Sequence, residues 1–134
     1  MIAVDTSALI AMLQDELERR KFTDVIKKPS RAIVSTATIV EARMIAFGKG
    51  GSERVNILDG IIASLDLEIV SVEPEEIEIA HAAFVTYGKG NGHPAQLNFG
   101  DLFSYALAKS RGVPLLFKGG DFGLTDVGVA HPAN

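Results

Sequence analysis

Short, mainly apolar runs set apart by helix-length segments constrain this chain most. The runs are IAV at 2–4, RAIVS at 31–35, LEIVSV at 67–72 and VPLLF at 113–117. A strand wetted on one face alternates apolar and polar residues, whereas a run apolar at successive positions needs cover on both faces. Between the runs, apolar residues recur at helical spacing. Val40, Met44 and Phe47 form one such set, and Val55, Leu58, Ile62 and Leu65 another. Ile77, Ala80, Phe84 and Tyr87 form a third; Leu102, Phe103, Ala106 and Leu107 share one face of a fourth. Strands alternating with helices predict an α/β fold with a mostly parallel sheet covered on both sides.

Punctuation residues sharpen the boundaries. Residues 1–5 read as the first strand and Ser7 to Leu13 as the start of a helix. Asp15 to Lys28 reads as a second, charged helix, with Asp15–Arg19 and Glu16–Arg20 spaced for i,i+4 pairs and Pro29 as its stop. Ser35 or Thr36 suits a helix cap, and GKGGS at 48–52 reads as a loop. Pro74 and the acids after it suit a helix start, residues 88–96 form a glycine-rich loop, and Gly112 closes a helix from Asn98 to Arg111. DVGVA at 126–130 is a candidate fifth strand. With no repeat, linker or low-complexity tract, residues 1–134 are expected to form a single domain.

Composition narrows the function classes. There is no cysteine, which excludes disulfides and zinc–thiolate sites. No basic leader opens the chain, and no apolar run approaches the roughly 18 residues of a membrane span, so a cytoplasmic protein without a membrane partner is expected. The net charge of −4 is the wrong sign for holding nucleic acid by bulk electrostatics. Action on nucleic acid then needs bound cations or a local basic patch.

The acids supply the candidate chemistry. In open α/β sheets, ligands bind beyond the carboxyl ends of the strands. Asp5 closes the first strand, Glu41 lies about one turn into the helix after the second, Asp101 opens the helix before the fourth, and Asp121 follows the fourth. Two carboxylates ~4 Å apart repel by about 4 kcal/mol at an effective dielectric of 20, so such a cluster must take up protons or cations. Oxygen ligands without His or Cys select Mg²⁺ or Mn²⁺. Such a cation lowers the pKa of a bound water and stabilises the attacking and leaving oxygens of phosphodiester hydrolysis. Each acid also has a plainer reading. Asp5 is as good a helix cap as a ligand, Glu41 has Arg43 or Lys49 as possible partners, Asp101 complements a helix dipole, and Asp121 suits a turn.

Four blocks resemble a known family. VDTSAL at 4–9, TATIVEAR at 36–43, LNFGDLFSYALAK at 97–109 and LLFKGGDF at 115–122 are similar to the PIN-domain ribonucleases, most closely the toxin half of VapBC-type toxin–antitoxin pairs. The resemblance implies a three-layer α/β/α fold with four or five strands and a metal-dependent endoribonuclease of RNA. It also implies a homodimer and an antitoxin that blocks the site. The family's acids fall on Asp5, Glu41 and Asp101, and Ser7 matches its supporting hydroxyl residue. The family often carries Asp or Asn where this chain has Gly120, which leaves Asp121 or Asp126 for the fourth carboxylate and one or two metals for the site.

Other classes remain open from sequence. A receiver or other phosphoryl-transfer domain also uses acids at strand ends, and Lys118 resembles a receiver lysine; against it, VDTS holds one acid where a receiver carries a pair. A non-catalytic module on the same fold and a DNA nuclease are further alternatives. The basic stretch of Arg19, Arg20, Lys21, Lys27 and Lys28 reads as a solvated helix face, with an RNA groove as the other option. His93 is a loop residue near Asp101, His81 reads as structural, and His131 carries no signal.

Overall fold

A computed structural model describes residues 1–29 and 31–130. Strand β1 (Ile2–Val4) lies inside the sheet, between β2 (Ala32–Ser35) and β4 (Leu115–Leu116), with β3 (Glu68–Val70) outside β2. All pairings are parallel, with Ala3 opposite both Ile33 and Leu115. The order β3-β2-β1-β4 differs from the 2-1-3-4-5 order of receiver domains.

Successive residues of β1 serve opposite faces. Ile2 and Val4 pack with α1 (Thr6–Gln14), α2 (Glu16–Lys27) and α3 (Thr36–Ser64) through Leu9, Met12, Phe22 and Leu58. Ala3 packs on the other side with Leu107 of α5 (Phe99–Arg111) and Ala83 of α4 (Glu75–Tyr87). The result is the three-layer α/β/α arrangement that the apolar runs require. Among the described residues, no helix is long and apolar enough to cross a membrane.

Several expectations change in detail. The loop expected at 48–52 contracts to a kink in α3, where only Gly50 and Gly51 leave helical geometry. The strand expected at 113–117 keeps two residues, and β3 is an exposed edge rather than a buried run. Residues 126–130 make one bridge, Val129 to Leu115, instead of a fifth strand. Asp15 caps α2 by accepting from the Leu17 and Glu18 N–H groups, and Arg19 Nε donates to the Met12 carbonyl. Short local bonds to backbone thus take the place of the expected Asp15–Arg19 pair.

Candidate metal centre

The carboxyl end of β1, the first turns of α3 and α5, and the segment after β4 meet at one cavity of about 520 Å³. Asp5 is its deepest acid, 1% exposed, at the cap of α1. Its Oδ2 accepts from the Ser7 N–H at 2.9 Å and the Ser7 hydroxyl at 2.6 Å. Oδ1 is buried without a hydrogen-bond partner. Such an oxygen carries the full cost of its lost hydration unless something else meets it. Cap and candidate ligand are therefore two oxygens of one side chain. Ser7 Oγ also accepts from the Lys118 N–H at 2.9 Å, tying the end of β1 to the chain after β4.

Glu41 reaches the cavity from α3. The Thr6 hydroxyl donates to its Oε1 at 2.5 Å, a partner other than the Arg43 or Lys49 that the plainer reading offered. Arg43 pairs instead with Asp59. Gly100 faces Glu41 from α5, and a Cβ there would overlap the Glu41 carboxylate. Absence of a side chain at 100 leaves the Glu41 carboxylate room in its present position.

Asp101 sits in the first turn of α5 within a reciprocal cap. Its N–H donates to Asn98 Oδ1, and its Oδ2 accepts from the Asn98 N–H, both at 2.9 Å. Burial pushes its pKa up from 3.8 to about 7; the Asn98 hydrogen bond opposes the rise, and the charges of Asp5, Glu41 and Asp121 add to it. Asp101 therefore feels all three other sequence-identified acids. Asp121 is exposed at the start of a short 3₁₀ turn (Phe122–Leu124) and is outside the cavity lining. Asp126 is engaged elsewhere, by the Tyr105 hydroxyl and Lys109 Nζ. The Tyr105 hydrogen bond, foremost, holds its carboxyl below the usual range.

Among the described residues, no three His, Cys, Asp or Glu side chains close around a metal on their own. The donor chemistry nonetheless fits a hard divalent cation: oxygens only, mutual repulsion, and an orphaned carboxylate oxygen at the centre. Mg²⁺ usually keeps several waters, so few direct protein ligands suit it.

The sequence profile of the PIN domain matches residues 2–128. The chain belongs to the PIN domain family. Ribonuclease VapC30 of Mycobacterium tuberculosis is 40% identical over 126 residues, covering 94% of this PIN domain and 95% of the relative. In fold, the PIN domain is similar to M. tuberculosis VapC20, described as a sarcin–ricin loop cleaving toxin. The TM-score is 0.77 at 20% identity, over 98% of this chain and 100% of that one. VapBC-5 of M. tuberculosis, a member of the VapBC family of toxin–antitoxin systems, gives a TM-score of 0.64 at 21% identity over 96% and 92% of the two chains. Ribonucleases of the PIN family generally use a divalent metal.

Sequence reading missed Thr6, Gly100 and Asn98 around this site, and it singled out Lys118 only for its likeness to a receiver lysine. Thr6 and Gly100 act on Glu41 across elements, Asn98 fixes Asp101, and Lys118 lines the cavity. Only Asn98 left a local signal, an Asn three residues before an Asp at a helix start. Among the histidines, His93 is half-buried, edge-on to Tyr87, with Nδ1 accepting from the Ala95 N–H. His81 is exposed on α4 rather than structural, and His131 lies outside the described residues.

Proposed function

We propose that this PIN domain is an endoribonuclease toxin that uses Mg²⁺ or Mn²⁺ at the cavity around Asp5 to hydrolyse RNA phosphodiester bonds. The observation that carries the reading is Asp5 Oδ1, buried and unpartnered in a cavity that Glu41 and Asp101 also line, with the charges of Asp5, Glu41 and Asp121 all acting on Asp101. Asp5, Glu41 and Asp101 would hold the cation directly or through waters, with Asp121 at the rim completing the set. A bound divalent cation supplies positive charge for the phosphate and acidifies a water. The chain's own groups set the rest of the site. Ser7 fixes the rotamer of Asp5 by two hydrogen bonds, and Thr6 turns Glu41 inward. The α5 cap aims Asp101.

The decisive experiment is Mn²⁺-dependent cleavage of cellular RNA by wild type and Asp5→Asn. Wild type should cut and Asp5→Asn should not, with the same circular dichroism spectrum. Equal rates would overturn the assignment.

The partners follow from the same reading. An antitoxin protein from the same operon is expected to cover the cavity and stop cleavage, both partners acting in the cytoplasm. A homodimer accounts for a second surface. Val40, Met44 and Phe47 of α3 are 59, 69 and 61% exposed, and Phe99 of α5 is 77% exposed. Phe99 stands edge-on to Phe103 at 5.0 Å, continuing the same apolar face. A contiguous face of this kind marks an interface, and a second copy is the partner proposed for it.

A further inference from the structure

Four acids line the cavity, Asp5, Asp15, Glu41 and Asp101, against one cationic side chain among the described lining residues, Lys118. An RNA phosphate approaching this site meets repulsion from every side but two, the bound cation and this lysine. Position strengthens the point. The Lys118 N–H is held by Ser7 Oγ at 2.9 Å, and Ser7 in turn donates to Asp5 Oδ2 at 2.6 Å. Two hydrogen bonds thus register the lysine backbone against the central aspartate. Its ammonium is engaged by Glu18 of α2, in an ion pair between side chains 54% and 22% exposed. Asp15 of the cavity lining caps that same helix. The Lys118–Glu18 pair therefore joins α2 to the segment after β4 beside the cavity.

A carboxylate offers an ammonium the same anionic oxygen that a phosphodiester does, and the pair is open enough to water to exchange. We propose that Lys118 is the phosphate-contacting cation of this site and that Glu18 occupies it until RNA arrives. The substrate phosphate then takes the Glu18 position on Nζ, and Glu18 turns to solvent. The inference rests on the proposed nuclease reading and adds an intrachain competitor to it. Glu18 makes entry selective for ligands that bring their own anion to Lys118.

The test separates binding from cleavage. Binding of a fluorescent single-stranded ten-nucleotide RNA is measured by anisotropy on Asp5→Asn protein with Mg²⁺, across a salt series. Lys118→Met in that background should weaken binding about tenfold, as one charge-assisted contact is lost. The slope of log affinity on log salt should fall by about 0.7, the share of one phosphate contact on a single strand. Lys118→Arg should restore most of both. Glu18→Gln should tighten binding severalfold, and this gain should vanish when Lys118 is also Met. In otherwise wild-type protein the same changes should appear in KM for cleavage, while calorimetric Mn²⁺ affinity holds steady. Unchanged binding in Lys118→Met overturns the proposal and leaves the nuclease assignment standing if Asp5→Asn alone abolishes cutting. A Glu18→Gln gain that survives Lys118→Met overturns the role of Glu18. Binding that depends on Lys118 in a protein that never cuts RNA keeps the phosphate contact and overturns the nuclease reading.

Discussion

Asp101 shows how much one carboxylate can report about a site. Burial, with the charges of Asp5, Glu41 and Asp121 behind it, raises its pKa from 3.8 to about 7. Between those values the folded protein holds a proton that the unfolded chain has released. Stability of the cation-free protein therefore falls as pH rises through this window and levels off above it. Melting in EDTA from about pH 5 to about pH 8 should show the decline. Asp101→Asn should flatten it, and added Mn²⁺ should reverse it by favouring the ionised form. Parallel curves for wild type and Asp101→Asn would count against the coupling. Gly100 makes the complementary prediction. Ala there would displace the Glu41 carboxylate, and weakening of Mn²⁺ binding by about tenfold is expected, in line with other changes to residues that orient ligands. Calorimetry at fixed pH checks it. The convergence of Asp5, Glu41 and Asp101 was readable because strand ends share one edge of a parallel sheet. Thr6 and Gly100 were not, since each matters only through a neighbour 35 or more positions away in a different element.

At the scale of elements, α3 best separates what periodicity can and cannot say. Spacing of Val40, Met44 and Phe47 correctly marks a helix, yet that stripe faces outward. In this first half of α3 the buried residues are Thr38, Ala42 and Ala46, one turn apart on the other side, whereas beyond the kink Leu58, Ile61 and Ile62 are buried. Small residues let α3 lie close to its neighbours, and hydrophobicity scales do not register that preference. The kink is a second case. Gly51, at φ 69° and ψ −158°, occupies a region essentially reserved for glycine. A Cβ at 51 meets nothing within 4 Å, so any cost of substitution there is backbone strain alone. Gly51→Ala should destabilise the protein by about 1–3 kcal/mol in urea unfolding. Gly48→Ala, at a helical position with equal space, should be neutral or gain up to about 1 kcal/mol. Equal effects at both positions would rule out the strain account. The short strands were harder to bound from sequence than the helices. A two-residue β4 is defined by its pairing with Ala3 and Val4, a long-range fact that its own residues do not contain.

The whole molecule carries a net charge of −4, with four of its seventeen acids lining one cavity and an apolar face beside it. If a second copy covers that face, light scattering should give twice the chain mass, and Phe99→Glu should give a monomer with unchanged circular dichroism. A monomeric wild type at micromolar concentration would refute the homodimer. The parallel alternation of strands and helices made the fold class plain in advance, because only layered cover satisfies apolar runs of this kind. The proposed homodimer has no such signature, since an outward stripe looks the same in sequence as an inward one. One hydrogen bond sets a schedule for the whole chain. Ser7 Oγ and the Lys118 N–H lie 111 residues apart, and β1 lacks its β4 neighbour until Leu116 exists. At roughly 5–20 residues per second, synthesis separates the two halves of that bond by on the order of ten seconds. Asp101 and Lys118 are made 96 and 113 residues after Asp5, so a partly made chain carries the buried aspartate without the cavity that surrounds it.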